Sequence, residues 1–361
     1  MLAQHLYSTS GIRAMALPFG PPIEPMLAKL TPAIPEGEGW LYEPKWDGFR
    51  TVVFFDDGAA YLQSRDLKPM NRYFPELVEG LARTLPGPMV LDGEVVIAGP
   101  NGLDFDSLQL RIHPAESRVR KLAAETPTSF VAFDLLAVDG EDLRRQPFAQ
   151  RRARLEAVAG GVGPPVFVTP ATTDPGVARD WFDRFEGAGL DGVIAKPLGG
   201  PYQPGVRAMA KIKHLRTADC VVGGFRWNRG EEGRSVGSLL LGLYDGDGVF
   251  HHVGHTSSFK ADEKRALAGL LAPYVTEEDL GFGKGRTPGA PSRWTSGKDL
   301  SWVRLRPELV CEVTFDYLQG RRFRHAATFK RWRTDKPPES CTFDQLEAAV
   351  PMELAQAFSA R

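Results

Sequence analysis

The chain has 361 residues, 42% hydrophobic and 25% charged, enough for two domains that each bury a core of their own. Its 44 basic and 45 acidic residues give a formal net charge of -1, which does not mark a protein held to nucleic acid by bulk charge. No apolar run approaches a membrane span and no signal-peptide block is present. Three cysteines, Cys220, Cys311 and Cys341, are too few and scattered for a disulfide framework or a Cys-rich zinc site, so reduced, buried thiols in a cytoplasmic protein are expected.

Residues 1–14 carry no periodic pattern, and 1–20 read as a disordered extension with Met15 as an alternative start. Strand patterns over 49–55 and 59–63, joined by Asp56-Asp57-Gly58, predict a β-hairpin. The spacing of Leu77, Leu81 and Leu85 predicts a helix over 74–85, ended by Pro86-Gly87-Pro88. Residues 89–97 and 130–136 are strand-like, 145–158 and 175–185 helical, and 192–196 a short buried strand. This mixture predicts an α+β catalytic domain over 21–216. Beyond it, strands are expected at 221–227, 238–244, 249–254, 310–317 and 322–324, with a helix at 260–271 and a Gly/Pro-rich loop at 281–297. That pattern fits a small OB-type barrel over 217–361, with a terminal helix at 349–358 and a hinge at 216–218.

The chemistry centres on Glu43-Pro44-Lys45-Trp46-Asp47-Gly48-Phe49-Arg50. A protonated lysine is a poor nucleophile, so a catalytic one needs cations, a metal or an apolar wall beside it. Gly48 would let the backbone approach a nucleotide closely. The bland alternative is an ordinary surface turn. Between Arg321 and Lys336 lie seven Lys or Arg against Asp335 alone, interleaved with Phe323, Phe329 and Trp332, and a second basic stretch holds Arg207, Lys211, Lys213 and Arg216. Such a run is usually a solvated face, but its aromatics suit a phosphate-tracking strand. His251, His252 and His255 have no neighbouring carboxylate in sequence to orient them, and a structural or solvent-facing role is expected.

Further landmarks follow in order: Ser64-Arg65, Leu91-Asp92-Gly93-Glu94-Val95-Val96, Val131-Ala132-Phe133-Asp134-Leu135-Leu136, Asp191-Gly192-Val193-Ile194-Ala195-Lys196, Lys211-Ile212-Lys213 and Arg333-Thr334-Asp335-Lys336. From about Pro22 to Cys341 the chain resembles the covalent nucleotidyltransferases, and is most similar to compact bacterial ATP-dependent DNA ligases of the ligase C type. The resemblance implies that Lys45 attacks ATP to form lysyl-AMP, with Lys211 and Lys213 neutralising the α-phosphate. It implies that Phe133 stacks on adenine, Glu43 sits at the adenine edge, Arg50 and Glu94 hold the ribose side, and Lys196 lines the nucleotide site. Arg65 would contact the nick phosphate, and Arg333, Asp335 and Lys336 would orient pyrophosphate in the first step only. Glu94 and Asp191 would hold Mg²⁺ or another divalent cation. Asp191 stands where the family usually has Glu, one methylene longer. The implied partner is nicked double-stranded DNA, bound by a monomer outside any membrane, with repair or end-joining proteins as further partners. An RNA ligase, a capping-type enzyme and a non-enzymatic DNA-end-binding module are the alternatives.

Overall fold

Asp57 and Gly58 take φ of +46° and +73°, the left-handed pair that a two-residue hairpin turn requires, and they join the strands Phe49–Asp56 and Ala59–Ser64. The computed structural model describes residues 17–99, 102–214, 216–278, 282, 301–316 and 318–346. They fall in two compact units, the first running to Lys213 and the second beginning at His214.

The hairpin belongs to a six-stranded sheet ordered Val166–Val168, Ser129–Val138, Met89–Val96, Phe49–Asp56, Ala59–Ser64, with Glu141–Asp142 pairing beside Ser129–Val138. Alternation along Phe49–Asp56 sends Val53 and Phe55 towards Leu77 and Leu81 of the helix Pro75–Thr84, and Val52 and Phe54 towards Met26, Tyr202 and Met209. Both faces of this sheet are therefore buried. A second, four-stranded sheet runs Leu27–Leu30, Arg207–Ile212, Val193–Pro197, Trp40–Pro44. Tyr42, Val193 and Ala195 of that sheet pack with Trp181 of the helix Pro175–Arg184.

The second unit is built on a six-stranded sheet ordered Phe250–Thr256, Val236–Tyr244, Arg216–Trp227, Val310–Phe315, Thr328–Trp332, with Val303–Arg304 pairing beside Arg216–Trp227. The helix Ala261–Leu271 covers its core through Leu267 and Leu271. Among its described residues this unit is strand-rich, with one α-helix interposed, as expected. Among the described residues, no helix is long and apolar enough to cross a membrane.

Three expectations need correction. The extension placed at 1–20 is packed from Leu17 onward: Leu17 is buried, and Phe19 meets the Phe54 ring edge-on under the Arg144 guanidinium. The hinge placed at 216–218 is a strand end, because Arg216, Thr217 and Ala218 pair with Phe315, Thr314 and Val313. The helix at 145–158 begins three residues late, at Phe148, since Pro147 disfavours the helical conformation for the residue before it. The loop at 281–297, except Phe282, and the helix at 349–358 lie outside the described residues. Cys220, Cys311 and Cys341 are buried free thiols, as expected.

Candidate active site

Lys45 opens the short link from the Trp40–Pro44 strand of one sheet to the Phe49–Asp56 strand of the other. Its backbone is held on both sides: Lys45 N–H donates to the Gly192 carbonyl at 2.8 Å, and Asp191 N–H donates to the Lys45 carbonyl at 2.9 Å. Gly192 has φ +122°, and a Cβ there would lie 2.0 Å from the Ile212 carbonyl oxygen, so only glycine closes this junction. At Gly48 a Cβ would fall 2.2 Å from the Val95 carbonyl oxygen. Its missing side chain makes room for the neighbouring strand.

Asp191 accepts on one oxygen from both Lys45 Nζ, at 2.7 Å, and Lys213 Nζ, at 2.6 Å. Burial favours its neutral form, yet the two ammonium groups outweigh that and hold its carboxyl below the usual carboxylate range. Lys211 lies one strand away, opposite Ile194, whose other neighbour across the ladder is Glu43. Burial pushes the Lys211 ammonium pKa down, and Lys213, Lys45, Arg207 and Arg65 push it further in the same direction. Lys45 thus meets Lys213 across a shared anion, Asp191.

The strand Ser129–Val138 contains a device no motif reveals. Gly93 pairs with Ala132 and Asp92 with Asp134, which leaves Phe133 as the extra residue of a β-bulge. The bulge re-aims Phe133 into the cleft, and Lys196 Nζ donates to its carbonyl at 2.9 Å. Lys196 is held in turn by Glu43 at 2.7 Å, both side chains being 3% exposed, and Glu43 also pairs with Arg152 at 3.2 Å. Burial lowers the Lys196 pKa, opposed by Glu43 and Asp134.

Arg50 forms a two-pronged pair with Asp92, its Nε and Nη2 donating at 2.6 and 2.7 Å, and its guanidinium carbon lies 4.4 Å from the Phe133 ring centroid. Asp92 is fully buried and accepts a third bond from the Tyr202 hydroxyl at 2.7 Å. Glu94 stands opposite Arg50 on the neighbouring strand. Burial pushes its carboxyl up to about 7, against the downward pull of Arg50 and Lys45.

Glu43, Lys45, Arg50, Arg65, Glu94, Phe133, Lys196 and Lys211 line one cleft, and Asp191 and Lys213 join it through their contacts with Lys45. Arg333 and Lys336 belong to the second unit, where both reach Asp219. Sequence reasoning missed Asp92, Arg152 and Tyr202 as supports. For Asp92 a signal existed: it flanks Gly93 opposite Glu94, and alternation sends both acids to one face of a strand.

The basic stretch at 321–336 is less available than its composition suggests. Arg331 pairs with Glu312 at 2.7 Å, Arg333 with Asp219 and Asp335, and Phe323 is a buried core residue. His251 Nε2 lies 2.6 Å from Asp245, a carboxylate that the sequence reading did not place beside it. Burial, with Arg322 and Arg226, pushes His252 down to about 3. Among the described residues, no group of three or more His, Cys, Asp or Glu is arranged to hold a metal.

A family model described as the ATP dependent DNA ligase domain matches residues 25–213, and one described as the ATP dependent DNA ligase C terminal region matches 232–336. The chain is 51% identical to DNA ligase C of Mycobacterium tuberculosis over 94% of its length and 98% of that protein. It is 33% identical to the multifunctional non-homologous end joining DNA repair protein LigD of the same species, over 88% of this chain and 39% of that one. A solved structure from a study of Lig E DNA ligases shares the fold, with a TM-score of 0.54 at 18% identity over 86% of this chain and 99% of that one. One cleft lined by the motif residues around Lys45 and two matched domain families lead to one assignment: the chain belongs to the ATP-dependent DNA ligases, and among them to the bacterial ligase C type.

Proposed function

We propose that this chain seals 5′-phosphate/3′-hydroxyl nicks in duplex DNA, using ATP to charge Lys45 with AMP. The observation that carries the reading is the junction of Lys45 with Asp191, 2.7 Å apart, in the cleft lined by Lys211, Glu94 and Phe133. Attack on an anionic phosphate depends mainly on charge neutralisation and in-line positioning, and these residues supply both. Once its ammonium has given a proton to solvent, Lys45 Nζ forms the N–P bond to the α-phosphorus and the bond to pyrophosphate breaks. AMP then passes to the nick 5′-phosphate, freeing Lys45, and the 3′-hydroxyl displaces AMP to join the strands.

Phe133 offers a wall for adenine, fixed from behind by Lys196, and Arg50 reaches the ribose side from its seat on Asp92. Arg65 contacts the nick phosphate, and Arg333 and Lys336 act on pyrophosphate in the first step. Mg²⁺ typically takes one or two carboxylates and completes its shell with phosphate oxygens and water, which suits a site without a protein cage. Glu94, which lines the cleft, and Asp191 are the carboxylates that would hold it. Bound there, the metal would neutralise phosphate charge. Asp191 already serves two lysines, so Glu94 is the freer donor.

The protein works as a monomer in the cytoplasm, and its likeness to an end-joining protein supports a part in DNA repair. Incubation with α-labelled ATP and Mg²⁺ tests the first step: label should survive denaturation in wild type and be absent in Lys45→Ala. Labelling by GTP instead would favour a capping reaction. Nicked duplex DNA should be sealed, with a rate that falls steeply as salt rises. Joining of RNA alone would replace this substrate with another.

A further inference from the structure

Asp219 is an acid that none of the motifs contains. It lies in the Arg216–Trp227 strand, opposite Glu312, and is 9% exposed. Both of its carboxylate oxygens accept from Arg333 Nη1, each at 2.9 Å, and one also accepts from Lys336 Nζ at 2.7 Å. Asp335 takes the other side of the same guanidinium, through Nε at 2.9 Å and Nη2 at 2.8 Å. The Arg333 backbone is fixed as well, its N–H donating to the Val310 carbonyl at 2.8 Å.

The strand residue that carries this carboxylate is itself clamped. The Gln345 amide accepts from Asp219 N–H at 2.8 Å and donates to the Asp219 carbonyl at 3.1 Å and the Thr342 carbonyl at 2.8 Å. A long lysine and a long arginine would otherwise sample many rotamers, and each would lose that freedom on meeting an anion. Sharing one rigid carboxylate removes the cost in advance. Lys336 has three N–H donors, so its bond to Asp219 leaves others for a ligand.

We propose that Asp219 is a positioning residue for the first chemical step, holding Arg333 and Lys336 at a fixed spacing suited to a pyrophosphate leaving group. The inference rests on the reading of the Arg-x-Asp-Lys box as a first-step element. Asp219 touches no substrate and acts through its two cationic partners. Its carboxylate must have both the charge and the reach to hold them. Asparagine keeps the shape but loses the charge, and it turns an N–H₂ group towards one cation. Glutamate keeps the charge but displaces it by a methylene, and a misplacement of about 1 Å can cost on the order of 10²-fold in rate.

The test compares two reactions of the full-length protein: labelling of Lys45 by ATP and Mg²⁺, and sealing of a nick supplied already adenylated, which bypasses that labelling. Asp219→Asn should slow labelling at least tenfold while sealing of the adenylated nick stays within threefold of wild type. Asp219→Glu should slow labelling at least threefold with sealing likewise retained, and it carries the test if Asp219→Asn does not fold. Equal losses in both reactions by a variant with a wild-type melting temperature would overturn the proposal, as would normal labelling in both variants. Arg333→Ala is the control for the underlying reading. Slow labelling in Arg333→Ala with normal labelling in the Asp219 variants rejects the role of Asp219 alone, whereas normal labelling in Arg333→Ala rejects the box reading itself.

Discussion

Replacing Asp92 by alanine removes the anion beneath Arg50 and the acceptor of the Tyr202 hydroxyl in one step. Breaking a buried ion pair from one side typically costs about 3–5 kcal/mol, because the abandoned charge has no water to turn to. The Arg50 side chain is 21% exposed, so some hydration is regained and the low end of that range applies. The lost hydroxyl partner adds about 1 kcal/mol. A loss of about 3–4 kcal/mol is expected, a large part of the roughly 5–15 kcal/mol that holds a domain together. Urea denaturation of Asp92→Ala measures it directly. The double variant Arg50→Met with Asp92→Leu separates stability from chemistry, since apolar replacements of both partners can match a buried pair. It should recover at least half of the lost stability while Lys45 labelling stays at least tenfold slow. An Asp92→Ala protein within 1 kcal/mol of wild type and normally labelled would refute the argument that this pair fixes the site.

Three other outcomes follow from the geometry. The Glu94 carboxyl, raised to about 7 in the folded protein against about 4.3 unfolded, binds its proton more tightly when folded, so its contribution to stability is full below pH 4 and is lost as pH rises through 7. The loss is at most about 4 kcal/mol, less where cleft water screens it, and Glu94→Gln should flatten the pH 5 to 8 trend in urea midpoints expected for nucleotide-free wild type. Asp191→Ala leaves Lys45 and Lys213 without their shared anion and should cut Lys45 labelling about 100-fold, whereas Asp191→Glu should stay within tenfold; an active Asp191→Ala would remove this acid from the site. Gly192→Ala drives a Cβ against the Ile212 carbonyl at a φ of +122° and should cost about 2–4 kcal/mol in urea unfolding, a cost that an unchanged midpoint would contradict.

Elements with strong local signals were readable from the chain alone. Asp57-Gly58 between alternating apolar runs specified its hairpin, and the Leu77–Leu81 spacing specified a helix face. The strands Leu27–Leu30 and Trp40–Pro44 were not anticipated, being too short for a periodic pattern and formed by pairing with Arg207–Ile212 and Val193–Pro197. The helix Glu116–Glu125 is half charged and buries only Val119 and Ala123, so it lacked the apolar stripe that marks a helix. In the cleft, residue types and order identified the lining but not its wiring. Lys45 and Asp191 are 146 positions apart, and Phe133 turns on a register shift between two strands. Such partnerships arise from topology, which local spacing does not encode.

The main-chain link between Lys45 and the turn at Gly192 limits how the Lys45 side chain can move. Amides at 45 and 191 are both tied up in opposed hydrogen bonds, so hydrogen exchange at these two positions should be slow with the lysine free or loaded. Loading and unloading would then be carried by side-chain torsions alone, a pendulum arm swinging from a bolted pivot.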